Sequence, residues 1–187
     1  MTAPDQRRPH ALVVVESMFG NTEQVARAVA AGLADEGVEA SVVDVGAAPV
    51  DLPAEVYLLV LGCPTHAFSM SRPATRADAV RQGAPPERAT TGLREWLGSV
   101  LPQDVRRSPV VAVFDTRVSK VRRLPAAAGR RAVRLARRRG LTVLVRPEAF
   151  LVADTPGPLV AGELARATVW GHQLAGASAR ARTRDLA

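Results

Sequence analysis

Ala11-Leu12-Val13-Val14-Val15 runs without a polar residue into Glu16-Ser17-Met18-Phe19-Gly20-Asn21-Thr22, and beyond Thr22 the pattern changes. An unbroken apolar run of this length suits a strand buried on both faces. From residue 22 to 36 the apolar positions are Val25, Ala26, Val29, Ala30 and Leu33, the spacing of one helix face, and Gly37 follows where a helix should stop. A doubly buried strand feeding an amphipathic helix is the repeating unit of a parallel sheet covered by helices.

The same alternation continues outward. Apolar runs at 40–45, 56–61, 109–114 and 141–145 read as further strands, and 149–152 continues the last one past the Arg146-Pro147 break. Helical spacing appears at 87–100, at 125–139, where Pro125 suits a first turn, and at 160–174. Residues 62–86 are irregular, with a short helical turn near 76–81. The expected architecture is α/β, a doubly wound five-stranded parallel sheet in one domain over 10–175. A flexible N-terminal tail (1–9) and a disordered C-terminal tail (176–187) flank it. In such sheets ligands bind beyond the carboxyl ends of the strands, where strand order reverses. The loops at 16–22, 62–73 and 115–124 therefore carry the functional reading.

Composition bounds the rest. Of 187 residues 47% are hydrophobic but only 4% aromatic, so the core is built from Val, Leu and Ala. No apolar run approaches the ~20 residues of a membrane helix, and the first ten residues lead into too short an apolar stretch for a signal peptide. Cys63 is the only cysteine, which rules out an intrachain disulfide or a cysteine metal cluster. These features describe a cytoplasmic protein without a metal centre. The net charge of +7 is unevenly placed: residues 116–147 hold ten Arg and one Lys but no Asp or Glu.

The loop at 16–22 offers hydroxyls at Ser17 and Thr22, an amide at Asn21, a flexible Gly20 and the amides of a helix start. Together these suit a phosphate monoester. The loop has no Lys or Arg, and neither Gly-x-x-x-x-Gly-Lys nor Gly-x-Gly-x-x-Gly is present. On spacing alone a plain polar turn, capped by Asn21 or Thr22, remains open.

Taken with the other two loops, Ser17-Met18-Phe19-Gly20-Asn21-Thr22 resembles the phosphate loop of the flavodoxin family. Gly62-Cys63-Pro64-Thr65-His66 resembles that family's first flavin-edge loop, and Phe114-Asp115-Thr116-Arg117 sits where the second one falls. The resemblance spans roughly 10–175 and looks like the short-chain form. It implies strand order 2-1-3-4-5 and non-covalently bound flavin mononucleotide (FMN). It places Ser17, Met18, Phe19, Gly20, Asn21 and Thr22 around the phosphate, and Pro64, Thr65, His66, Ala67 and Phe68 along one side of the isoalloxazine. Asp115, Thr116 and Arg117 approach the other side or the pyrimidine edge. The chain departs from the family in having no Trp or Tyr in either edge loop and in being basic there.

Individual residues sort as follows. His66 is a hydrogen-bonding group at the ring and, when protonated, a cation favouring reduced flavin. Cys63 reads as a small buried hydrophobe. Asp44 reads as structural or solvent-exposed, and Arg72 as a solvated loop residue. Asp115 either touches the pyrimidine or pairs with Arg117. Along the helix at 126–139, Arg130, Arg131, Arg134, Arg137 and Arg138 fall within an arc of about 120° opposite Ala128, Ala132, Val133, Leu135 and Ala136. That face is either simply solvated or a docking patch for an acidic partner.

The resemblance implies an electron-transfer flavoprotein, with no catalytic side chain of its own. A redox partner, expected to be acidic, would dock near Arg117, Lys120, Arg122 and Arg123. The alternatives are an FMN-dependent NAD(P)H or quinone reductase and a flavin-free interaction domain. A nucleic-acid role is disfavoured, because the arginine segment has no aromatic for stacking and no groove-reading motif.

Overall fold

The computed structural model describes residues 10–100, 108–121 and 127–185. The expected tail at 1–9, the helix start at Pro125 and the docking residues Arg122 and Arg123 lie outside them. In chain order the elements are β1 (His10–Val15), α1 (Asn21–Asp35), β2 (Glu39–Asp44), β3 (Val56–Pro64), α2 (Pro73–Arg81), α3 (Leu93–Ser99), β4 (Val110–Val118), α4 (Ala127–Arg138), β5 (Thr142–Val143), β6 (Glu148–Val152) and α5 (Glu163–Asp185). Every pairing is parallel and the order is β2-β1-β3-β4-β5, with β6 also on β4. The fold is the doubly wound sheet that the alternation of apolar strands and helices implies.

The period-2 alternation of strand side chains divides the core. Leu12, Val14, Leu59, Leu61, Val111 and Val113 point to the face covered by α3 and α4. Ala11, Val13, Leu58, Val60, Ala112 and Phe114 point to the face covered by α1 and α5. On that second face Phe114, Phe150 and Trp170 meet edge-to-face, with centroids 5.8–6.1 Å apart. Gly62 makes room for them, since a Cβ there would lie 2.3 Å from the Phe114 ring.

Three expected elements differ. The helix expected over 87–100 is broken into a 3₁₀ turn at Pro86–Ala89 and the short α3. The break lets the guanidinium of Arg76 through: it donates to Ala89 O at 3.0 Å and pairs with Glu95 at 3.2 Å. A Cβ on the intervening Gly92 would sit 2.3 Å from Arg76 Nη1. The last strand is split because its partners on β4 shift from Val110↔Thr142 to Phe114↔Glu148, two extra residues that Arg146-Pro147 absorbs. Finally, the segment expected to be a disordered tail from 176 is helix as far as Asp185. Its Ala and Arg residues favour helix. Ser178 is buried, and the Arg182 guanidinium lies 4.7 Å from the Tyr57 ring centre.

Helices α1 and α5 approach through Gly32 and Gly171. A Cβ on Gly171 would fall 2.3 Å from Val29 O, and one on Gly32 would fall 2.1 Å from Thr168 O. Backbone cannot move aside as a side-chain tip can. Gly171→Ala is therefore expected to lower the unfolding free energy by about 1–3 kcal/mol, the usual penalty of overpacking. Gly98→Ala in α3, whose Cβ would meet nothing nearer than 3.7 Å, should not destabilise. Urea denaturation of the two variants checks this.

Candidate functional site

Beyond the carboxyl ends of β1, β3 and β4 the three loops enclose a cleft with about 880 Å³ of empty space, its mouth included. β1 and β2 leave the centre of the sheet in one direction, β3 and β4 in the other, so the cleft lies at the reversal of strand order.

The first wall is the start of α1. The helix is capped by Gly20 in the left-handed region (φ 87°), which bears no capping side chain. Gln24 N–H donates to Gly20 O at 3.0 Å and Glu23 N–H to Ser17 Oγ at 3.2 Å. The amides of Asn21 and Thr22 have no such acceptor among the described residues. These two N–H groups, at the positive end of a fifteen-residue helix, are where an anion would be held. Ser17 is buried and its hydroxyl accepts that Glu23 N–H, so it braces the loop and is not among the residues lining the cleft. Met18 forms the floor toward α2, against Ala79 and Ala84.

The second wall is the turn after β3. His66 and Ser69 exchange two backbone hydrogen bonds of 2.8 Å. Ala67 (φ 43°) and Phe68 (φ 61°) between them are both left-handed. Such a turn normally takes Asn-Gly, and each side-chain-bearing residue here stores about 1–2 kcal/mol of strain. Pro64, Thr65, His66 and Ala67 face the cleft. Phe68 does not: it stands on the outside of the turn, 56% exposed. Burial, with the Arg76 charge second, lowers the His66 pKa below its usual value. This shift favours the neutral imidazole, the hydrogen-bonding form of the expectation, over the cation.

The third wall is the end of β4, and strand alternation assigns its residues. Thr116 points to the α1 face, where its hydroxyl bonds that of Thr22 at 2.8 Å. Its carbonyl accepts Thr65 N–H at 2.8 Å, so Thr116 ties all three loops together. Asp115 points to the α4 face and is fully buried, away from the cleft. It accepts Gly129 N–H at 3.1 Å, receives the Thr65 hydroxyl at 3.4 Å and pairs with Arg117 at 3.6 Å. Burial raises its pKa against the Arg117 charge. Asp115 is a positioning residue for Thr65 and α4. Arg117 does line the cleft.

Sequence reasoning missed two linings. Thr75, Asp78 and Ala79 come from α2 and Gln82 from its C-cap, while Val152 ends β6 and Asp154, Thr155 and Pro156 belong to the loop after it. The Asn21 amide donates to Pro156 O, which closes that loop over the helix start. Arg88 was missed as well: it donates to Ser17 O at 3.2 Å and pairs with Glu23 at 3.0 Å, bringing a cation behind a loop that has none of its own. Of the residues weighed singly, Cys63 is buried and its thiol held protonated by burial. Asp44 is exposed and accepts Gly46 N–H at 2.8 Å.

Beneath the first loop lies a buried polar network. Glu16 Oε2 accepts Leu93 N–H at 2.8 Å, while Oε1 is buried with no hydrogen-bond partner among the described residues. Arg76 and Ser71, themselves bonded at 3.1 Å, complete it. Burial raises the Glu16 pKa, only partly offset by Ser71, Leu93 and the Arg76 charge.

An anion-ready helix start, a strained turn and a threonine-linked cleft at the switch point of an α/β sheet make an architecture that suits a nucleotide-sized ligand. Residues 13–77 match the flavodoxin family model. The solved structures tell the same story at low identity. A flavodoxin from the domain Archaea superimposes with TM-score 0.61 at 18% identity, over 90% of this chain and 98% of that one. Oxidised flavodoxin 1 from Bacillus cereus gives 0.59 at 15%, over 91% and 97%. The flavodiiron protein of Giardia intestinalis gives 0.60 at 14%, over 95% of this chain but 38% of its own. No curated protein sequence matches. The fold is flavodoxin-like, and the likeness in sequence to the flavodoxin family model lies in residues 13–77.

Because the folded Glu16 carboxyl has a raised pKa, its contribution to stability is full below the unfolded value of 4.5 and is lost as pH rises through the folded value. Glu16→Gln removes this titration. Relative to the variant, the parent should gain stability as pH falls from 8 toward 4.5. Paired denaturation curves across that range measure the difference, and parallel curves would contradict it.

Proposed function

We propose that the chain is an FMN-binding electron-transfer flavoprotein, formed by a flavodoxin-like domain that runs from β1 through the end of α5 at Asp185. The observation that carries this reading is the pair of unsatisfied amides, Asn21 and Thr22, at one end of a cleft whose other walls are Pro64–Ala67 and Thr116–Val118. A phosphate belongs at the amides and a planar apolar ring between the walls. The residues present fit the group: Gly20 leaves its surroundings open, the cleft mixes apolar and hydroxyl-bearing side chains, and Arg88 stands behind the loop. Bound there, FMN supplies one- and two-electron transfer, and the protein supplies orientation and electrostatics.

Met18, Phe19, Gly20, Asn21 and Thr22 hold the phosphate in this reading. Pro64, Thr65, His66 and Ala67 line one side of the ring, and Thr116 with Arg117 the other. Neutral His66 acts as a hydrogen-bonding group. The expected acidic partner would meet Arg117 and Lys120, although both are paired, with Asp115 and Asp154.

A second reading rests on one observation. With Phe68 turned outward and Ala67 small, the one aromatic side chain lining the cleft among the described residues is Phe19, in the phosphate loop. That leaves room for a second planar molecule and favours a flavin-dependent NAD(P)H or quinone reductase. Turnover of reduced nicotinamide with a quinone by flavin-loaded protein is expected only in that case.

The direct experiment is flavin titration with visible spectroscopy. The parent should bind FMN with an oxidised-flavin spectrum. Thr22→Ala should weaken FMN binding by about 1–3 kcal/mol, the value of a hydrogen bond to a charged acceptor. It should change riboflavin binding much less, because riboflavin lacks the phosphate. Equal losses for both flavins, or no flavin binding by the parent, would overturn the assignment.

A further inference from the structure

Away from the cleft, α4 and the sheet edge enclose a second open groove, with about 1340 Å³ of empty space, its mouth included. One wall is arginine: Arg130, Arg131, Arg134 and Arg137, all exposed. The floor is apolar, from Val133 on the helix, Val143 at the end of β5, and Leu144 and Val145 just after it. Residues 127–147 contain seven Arg and no Asp or Glu. Among the described residues none of these seven is in an ion pair, whereas Arg27, Arg76, Arg88 and Arg166 all are. Arg130 and Arg134 are one helical turn apart, as are Arg134 and Arg138, and like charges so spaced repel. The helix thus carries a concentrated charge that the rest of the fold leaves uncompensated.

We propose that this groove is the docking site for an acidic, extended segment of a partner protein. Its carboxylates face the α4 arginines and its alternate apolar side chains rest on Val143, Leu144 and Val145. The mixed lining is what selects this occupant. A nucleic-acid backbone would satisfy the arginine wall but offers nothing to the apolar floor, and no aromatic side chain lines the groove for a base to stack on. The floor also has a polar edge. β5 ends the strand order, and Leu144 N–H is directed inward, to Val111 O at 2.8 Å. Alternation along the strand turns the Val143 backbone outward, where an extended segment can pair with it. The groove lies near the cleft at one end, since Gly129 at the start of α4 is bonded to Asp115 at the end of β4. Arg117 and Lys120 are already matched by Asp115 and Asp154. Among the described residues the unmatched positive charge of this region is therefore on α4, and the partner's negative charge is directed there. Nothing in this inference depends on flavin being bound.

The test is fluorescence anisotropy of a labelled peptide of alternating Glu and Val, titrated with the full chain at low and physiological ionic strength. Binding is expected to weaken by about tenfold or more in the Arg130→Glu/Arg134→Glu/Arg137→Glu variant. Added salt should weaken it too, because surface charge is screened beyond roughly 8 Å at physiological ionic strength. The control Arg27→Glu/Arg180→Glu, on the α1 and α5 face, should bind as the parent does. A peptide of Glu alone should bind more weakly than the alternating peptide if the floor takes part. Circular dichroism and flavin titration of each variant report folding and the cleft separately, so loss of either is distinguishable from loss of docking. Equal binding by the triple variant overturns the proposal. So does no binding by the parent, equal affinity for the Glu-only peptide, or tighter binding of a single- or double-stranded oligonucleotide that displaces the peptide.

Discussion

A central parallel strand buried on both faces can present polar chemistry only at its end. β1, β3 and β4 are in that position: each is buried along nearly its whole length and flanked by strands on both edges. The register aligns their ends, with Val15 opposite Gly62 and Gly62 opposite Phe114. Polarity therefore starts within three residues of one level across the sheet, at Glu16, Thr65 and Asp115. Everything at the site follows from that level: the helix start, the strained turn and the threonine pair are all within a few residues of it.

The two carboxylates at this level, Glu16 and Asp115, are both withdrawn from water and both have raised pKa values. Each holds the start of a helix on the same face of the sheet, Glu16 through the Leu93 amide of α3 and Asp115 through the Gly129 amide of α4. They act as fixed acceptors beneath the loops, in the way metal and nucleotide sites rely on a supporting layer of hydrogen bonds to hold the contacting groups still. Substituting them would disturb the cleft without touching anything bound in it.

The sheet was legible because Val- and Leu-rich runs of strand length are hard to read otherwise, and because α1 is amphipathic and stopped by Gly37; its strand order came only with the resemblance of the three loops to the flavodoxin family. The three site loops were legible from their places after β1, β3 and β4. What sequence order does not say is where a side chain points. Ser17, Phe68 and Asp115 were placed at the ligand because their loops were, but each is turned elsewhere. For Asp115 the signal was present: in strict alternation it shares a face with Val111 and Val113, and Thr116 shares the other with Phe114. The α2 lining was hidden because Pro73–Arg81 has little apolar periodicity and is held by the buried Arg76, an interaction distant in sequence. The helical end of the chain was hidden because its apolar contacts are sparse and it leans on Tyr57 through Arg182.

The rim formed by β6 has a further consequence. Strand edges with bare amides and carbonyls invite another chain to add on. Here Glu163 accepts Leu151 N–H at 2.7 Å and Arg166 donates to Ala149 O, with the guanidinium 4.3 Å from the Phe150 ring centre. Two side chains of α5 thus occupy the bonding positions that a neighbouring strand would take. Open-ended polymerisation through sheet edges needs two receptive rims per molecule, and along β6 this molecule has been made unreceptive from within.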